Sequence, residues 1–227
     1  MIDSLDYLVP YEFETENVTN TRKLMASEIP YTVCLPYQLE VPAYSKAYAL
    51  SERSGNTLVF KEVTGELEAM KPYLLKVNGI KRYNIDETTL KSEIAQKIPS
   101  SGGNTYGRQD DAAGYSLRGT FDGIDNATAH ELGAYILQSD GEWHPVSSAS
   151  DNDKKAVILP FRAYLLPNMH YAKASIGMTL EDTTGIDTIE TIDKDGTEHY
   201  YDLDGRELPG KPAKGVYIYK GKKYVNK

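Results

Sequence analysis

Lys46-Ala47-Tyr48-Ala49-Leu50-Ser51-Glu52-Arg53-Ser54-Gly55-Asn56-Thr57-Leu58-Val59-Phe60-Lys61-Glu62-Val63 is the stretch on which the fold class turns. Lys46 to Leu50 alternates in polarity, and so does Thr57 to Val63, both rich in the aromatic and β-branched types that suit a pleated, half-buried surface. Between them Glu52-Arg53-Ser54-Gly55-Asn56 reads as a hairpin loop, so the stretch is two antiparallel strands.

Working outward, the same signature recurs. Tyr31-Thr32-Val33-Cys34-Leu35-Pro36 is a short strand closed by proline, and Lys71-Pro72-Tyr73-Leu74-Leu75-Lys76-Val77 opens with one, where a strand tolerates it. In Gly114 to Phe121 the period of two places Tyr115, Leu117, Gly119 and Phe121 on one face. Ala134–Gln138 and Glu142–Val146 flank Asp140-Gly141, a type I′ hairpin signal. Ala156 to Leu165 and Ser175 to Leu180 add further strands, while Ser100 to Gly114 and Ser147 to Lys155 read as polar loops. Helix signals are sparse. Asp86 to Ile98 reads either as a helix, with Leu90, Ile94 and Ile98 at spacing four, or as a strand and a polar loop. Ala127 to Leu132 can form one short helical turn. Many short strands at regular spacing indicate an all-β chain, an antiparallel β-sandwich of jelly-roll or immunoglobulin-like type.

Composition shifts near Glu181, dividing the chain into a sandwich domain at 1–180 and a C-terminal module at 181–227. The Asp204-Gly205 and Lys220-Gly221 turns give the module the character of a small β-meander, too small for a sizeable core of its own.

The 227 residues carry a net charge of −8, which argues against a nucleic-acid partner. No stretch approaches the 18 consecutive apolar residues of a membrane-spanning helix. One cysteine excludes an intrachain disulfide and a multi-cysteine zinc site, and Cys34 in its apolar run reads as a buried, inert thiol. Met1 to Asp6 is acidic and lacks the apolar core of a secretory signal, which fits a cytoplasmic protein or a processed piece of a longer one.

Catalytic patterns fail on spacing. Gly114-Tyr115-Ser116-Leu117-Arg118-Gly119 misses the nucleophile-elbow pattern, and His130-Glu131 lacks the second histidine of a zincin helix, position 134 being alanine. Asp151-Asn152-Asp153, Asp193-Lys194-Asp195-Gly196 and Asp202-Leu203-Asp204-Gly205 offer oxygen ligands, but none completes a calcium loop and hairpin turns explain the last two more simply. No catalytic residue, metal ligand or cofactor site is therefore assigned. Tyrosine remains: 18 residues against 4 phenylalanines and 1 tryptophan. Most fall inside strand patterns and serve the sheet, whereas Tyr106, Tyr115 and Trp143 lie in or near loops and hairpins and are the candidate ligand-binding rings.

Three segments, Tyr31-Thr32-Val33-Cys34-Leu35-Pro36-Tyr37, Lys71-Pro72-Tyr73-Leu74 and Phe161-Arg162-Ala163-Tyr164-Leu165, form a series that resembles the C-terminal β-domains of secreted, adhesin-like surface proteins of Bacteroides-type bacteria, of the leucine-rich-repeat kind. The tail runs through Thr184-Gly185-Ile186-Asp187, Tyr200-Tyr201-Asp202-Leu203-Asp204-Gly205-Arg206, Lys214-Gly215-Val216-Tyr217-Ile218 and Gly221-Lys222-Lys223. It is similar to the ending of such proteins and to type IX C-terminal sorting domains. The resemblance implies a non-enzymatic adhesion or display domain at the cell surface or outside the cell, the C-terminal part of a larger protein, with a host or bacterial surface protein or glycan as partner. The alternative expectation is a carbohydrate-binding module or cryptic glycosidase, with two facing carboxylates in a cleft of the larger domain.

Overall fold

The structure, a computed structural model, describes residues 1–3, 5–79, 87–101, 106–112, 114–147, 156–168, 174–183, 200–202, 206–208, 210–212, 214–219 and 222–226. The chain forms two compact units, Met1–Asp182 and Thr183–Lys227.

The larger unit is an all-β sandwich. Its central sheet has the order β18 (Gly177–Glu181), β6 (Thr57–Val63), β5 (Ser45–Ser54), β8 (Pro72–Val77), β3 (Tyr31–Cys34). Every pairing in it is antiparallel except that of β18, which runs parallel to β6. The hairpin read from residues 46–63 is present, with a tighter turn than the loop residues suggested. Ser54 pairs with Thr57, leaving Gly55-Asn56 as a two-residue connection. Gly55 sits at φ +62, the requirement of the first central position in a type II′ turn. A bulge between Leu50 and Glu52 then keeps Tyr48, Leu50, Leu58 and Phe60 facing one way.

The second sheet, wholly antiparallel, has the order β11 (Tyr106–Ala112), β12 (Tyr115–Thr120), β17 (Arg162–Pro167), β14 (Tyr135–Leu137), β15 (Trp143–Pro145). Between the sheets lies the inner core, where Tyr48, Phe60 and Leu74 of one meet Tyr115, Leu117, Trp143 and Leu165 of the other. Burial of a side chain of this size contributes roughly 1.5–3 kcal/mol.

The central sheet is covered on its other face as well. Tyr73, Leu75 and Val77 of β8 point away from the inner core, one step out of phase with Leu74, into an outer core with Val33, Tyr37, Leu90, Ile98, Phe121 and Phe161. Three two-stranded ribbons belong to this side: β2 (Val18–Met25) with β9 (Glu87–Ser92), β1 (Phe13–Thr15) with β10 (Gln96–Ile98), and β4 (Leu39–Glu40) with β7 (Glu66–Leu67). Segment 87–98, open between helix and strand in the sequence, is therefore two strands. Leu90 and Ile98 enter the core, and Ser92 Oγ accepts from the backbone N of Ile94 and from Gln96 Nε2. A short polar side chain that bonds its own following backbone competes with helix propagation.

Two more expectations change. The polar stretch 100–114 carries β11, and its residues 102–105 and 113 lie outside those described. Asp140-Gly141 belongs to a longer connection: Gln138 O accepts from Gly141 N, Gln138 N donates to Glu142 O, and Gly141 alone has positive φ, at +82. That is a type I turn closed by a glycine bulge rather than type I′. The expected helical turn is α1 (Asn126–Glu131), N-capped by Asp125, whose carboxylate accepts from Thr128 N. It packs with β13 (Ile124–Asp125) and β16 (Ala156–Ile158) in a third cluster, joined by Tyr164 from the outward face of β17.

The smaller unit holds one antiparallel sheet of order β20 (Glu207–Leu208), β19 (Tyr200–Tyr201), β21 (Gly215–Tyr219), β22 (Lys222–Asn226). Because β19 lies between β20 and β21, the path is not a simple meander. Tyr200 and Tyr217 meet edge to face across it at 5.7 Å. The Asp204-Gly205 and Lys220-Gly221 turns, and the loop at 147–155 from residue 148 onward, lie outside the described residues.

Candidate binding cleft

The structure separates the three rings that the sequence singled out. Trp143 is 0% exposed and stacks on Phe60 at 6.3 Å, while its backbone bridges to Ile176. Tyr115 is 2% exposed, edge-on to Tyr135 at 6.2 Å, with the Arg53 guanidinium 5.2 Å from its ring centroid. Both occupy inward positions of strands, so they pack the inner core and offer no face to a ligand; this corrects the expectation of surface rings. Tyr106 opens β11 opposite Thr120.

A different group of side chains converges at the surface. Arg22 comes from β2, Tyr31 and Thr32 from β3, Arg162 from β17, and Ile136, Leu137, Val157 and Leu159 complete a cleft of about 250 Å³. The two guanidiniums are held in different ways. Arg162 forms a forked pair with Asp3, Nη1 to Oδ1 at 2.7 Å and Nη2 to Oδ2 at 3.1 Å, and its Nη1 also donates to Pro160 O. Arg22 donates from Nη1 to Thr32 O at 2.9 Å and lies 5.3 Å from the centre of the Tyr31 ring. Burial, then the charge of Arg162, lowers Arg22 to about 9, against the partial relief given by Asp3 and Tyr31. Arg22 is still charged at pH 7. The cleft thus sets two cations and one carboxylate beside an aliphatic wall.

This site was missed because its parts are far apart in sequence and each looks ordinary alone. Arg22 sits in the polar strand Val18-Thr19-Asn20-Thr21-Arg22-Lys23, where a solvated arginine is unremarkable. Arg162 carried more signal, as a single charge inside the apolar run Pro160-Phe161-Arg162-Ala163-Tyr164-Leu165, a placement that calls for a partner.

Other chemistry-bearing groups are engaged structurally. His130 Nδ1 donates to Val146 O at 2.8 Å, and His170 and His199 lie outside the described residues. His144 Nε2 lies 2.7 Å from Asp140 Oδ2, and with Glu142 these groups come within 4.8 Å of one another at the tip of the β14–β15 hairpin. Asp140 already holds that turn through Oδ1, which accepts from Glu142 N, and the bond lowers its carboxyl further than His144 does. Ser116 is 3% exposed, its Oγ against the Asp111 carboxylate and 2.7 Å from Asn168 Oδ1. Cys34 is fully buried in the outer core. Asp122 is raised by burial and then by the charge of Asp6, whose Oδ1 accepts from Gly123 N. Asp151-Asn152-Asp153 and Asp193 to Gly196 fall outside the described residues. The N-terminal segment turns Ile2, Leu5, Leu8 and Tyr11 to solvent. No described helix is long and apolar enough to cross a membrane, which says nothing of a strand-built span.

Set against known proteins, the chain matches no family model, no curated protein and no solved structure.

Proposed function

We propose that the chain is a non-enzymatic binding module of the adhesion or display type, working at the cell surface or outside the cell as part of a larger surface protein. One observation supports recognition above all others: two guanidiniums and an aliphatic wall converge on one cleft of the sandwich, with the Asp3 carboxylate paired to Arg162. Such an arrangement binds by charge and shape, and it contains no nucleophile paired with a base. The partner is a surface protein or glycan bearing acidic groups. Residues 185–227 serve as a sorting or anchoring signal, a reading that rests on the Tyr200–Arg206 and Lys214–Ile218 motifs.

Two measurements test this. The purified chain, coated on beads, is expected to retain bacterial or host surface material, and retention is expected to weaken as salt is raised. Absence of retention at low salt overturns the adhesion reading. Surface export of a reporter is expected to require residues 185–227, and unchanged export on their deletion overturns the sorting role.

A further inference from the structure

We propose that the Arg22–Arg162 cleft is a binding site for an organic carboxylate with a small aliphatic body, the carboxylate seated on Arg22 and the body against Ile136, Leu137, Val157 and Leu159. This deepens the binding-module reading above and rests on it.

The charge inventory of the cleft carries the argument. Among the described residues, the charged groups acting on Arg22 are Arg162, which repels it, and Asp3, which attracts it, with the Tyr31 phenol as a further titratable neighbour. Asp3 spends both carboxylate oxygens on Arg162 in fork geometry. The Arg22 guanidinium makes one hydrogen bond among the described residues, to Thr32 O, although it carries five N–H donors. Among the described residues, two cations in this half-buried space face one anion. The burial that lowers Arg22 is a cost that an added carboxylate would reverse. An ion pair formed there gains more than one on open surface, because fewer waters compete for it.

Shape selects the rest of the ligand. Arginine presents a planar fork that matches a carboxylate two bonds at a time, and the Tyr31 ring lies against the Arg22 guanidinium, which is 5.3 Å from the ring centroid. Ile136, Leu137, Val157 and Leu159 are each half-buried, so their free surface is apolar and gains from being covered. The cleft, at about 250 Å³, has room for a small branched acid. Two sources supply this chemistry: a free short-chain carboxylic acid, and the C-terminal residue of a peptide ending in an aliphatic side chain.

Isothermal titration of the full chain at low salt tests the site with three probes: 4-methylpentanoate, N-acetyl-leucine and N-acetyl-leucinamide. Both acids are expected to bind and the amide to bind at least tenfold more weakly. Tighter binding of N-acetyl-leucine assigns the site to a chain terminus, and equal or tighter binding of 4-methylpentanoate assigns it to a free acid. Arg22→Gln is expected to weaken the acids tenfold or more, Arg22→Lys to restore part of that loss, and Val157→Ser to weaken them several-fold with the preference for acid over amide retained. Melting temperatures report whether each variant is folded, and the lysine variant keeps the test decisive if the glutamine variant is not. Equal binding of acid and amide, an unchanged affinity in folded Arg22→Gln or Arg22→Lys, or no binding of either acid at millimolar concentration overturns the proposal. A chain that adheres to surfaces but binds neither acid sinks this inference alone, whereas one that binds the acids but does not adhere sinks the adhesion reading alone.

Discussion

Leu74 and Leu75 are neighbours on one strand, both fully buried, and they belong to different cores. Leu74 looks into the space between two five-stranded sheets, which side-chain packing fills: Trp143 on Phe60, Tyr115 on Tyr135, aliphatics between. Leu75 looks into a space roofed by two-stranded ribbons and the N-terminal segment. There phenols reach backbone carbonyls: Tyr37 donates to Leu90 O at 2.6 Å and Tyr7 donates to Pro99 O. Two-stranded ribbons of two, three and six residue pairs are marginal by themselves, so each needs an anchor. The inner core is closed by volume and the outer core by tethers.

Substitution distinguishes the two. Trp143→Ala is expected to have the largest effect, about 4 kcal/mol in chemical denaturation, because stiff sheets on both sides leave a cavity that cannot collapse. Leu75→Ala should cost less, about 2–3 kcal/mol, since the ribbons can settle inward. Equal losses in the two variants would erase the distinction between volume and tether.

Alkali attacks the tethers. Burial raises Tyr7 from 10.0 to about 12 and raises Tyr37 further, the Tyr37 shift being opposed by a hydrogen bond with Asn20. An acid whose pKa rises on folding keeps its proton longer in the folded state. The stability tied to these phenols is therefore intact below about pH 10 and is lost as pH climbs through 12. Hydrogen exchange at rising pH is expected to show segment 87–98 opening before the inner sheet strands. Tyr48, whose ring is in the inner core, is also raised, first by burial and then by its bond to Asp182, so the end of β18 should loosen over the same range. Simultaneous opening of everything would count against separate closure.

Asp3→Asn removes the charge from the fork that ties the N-terminal segment to the second sheet. A loss of about 2 kcal/mol is expected for this partly buried pair, read from the denaturation midpoint, and it should shrink at high salt. Tyr37→Phe is the smallest change, about 1 kcal/mol, and leaves the Leu90 carbonyl without its donor. An unchanged midpoint in Tyr37→Phe would mean that the ring, not its hydroxyl, anchors the ribbon.

These contrasts mark what the sequence could tell. Strand patterns exposed the strands of both large sheets except β11, whose polar residues read as a loop, and the short helical turn read at Ala127–Leu132 is α1, which Asp125 caps. The 87–98 segment was ambiguous since Leu90 and Ile98 fit either period, and its partners, β2 and β1, lie more than 60 residues earlier. Phe121 seemed to share a face with Tyr115 and Leu117, yet it follows the end of β12 and packs with Tyr7 and Phe161 in the outer core. Phe161 itself holds φ +61, which no local residue preference announces. The cleft was least legible: Arg22 and Arg162 become neighbours only through the stacking of layers, and nothing local to either predicts the other.

The lone thiol gives the molecule an internal clock. Cys34 lies at the end of β3 with its backbone N donating to Phe161 O, sealed beneath the ribbons. A thiol reagent reaches it only while that roof is lifted. Its labelling rate, divided by that of the exposed thiol in denaturant, is the fraction of time the outer core stands open, and each tenfold slowing corresponds to 1.4 kcal/mol of closure. The chain can thus report its own breathing without an added probe, and a ligand that pins the segments around Arg22 should slow the clock.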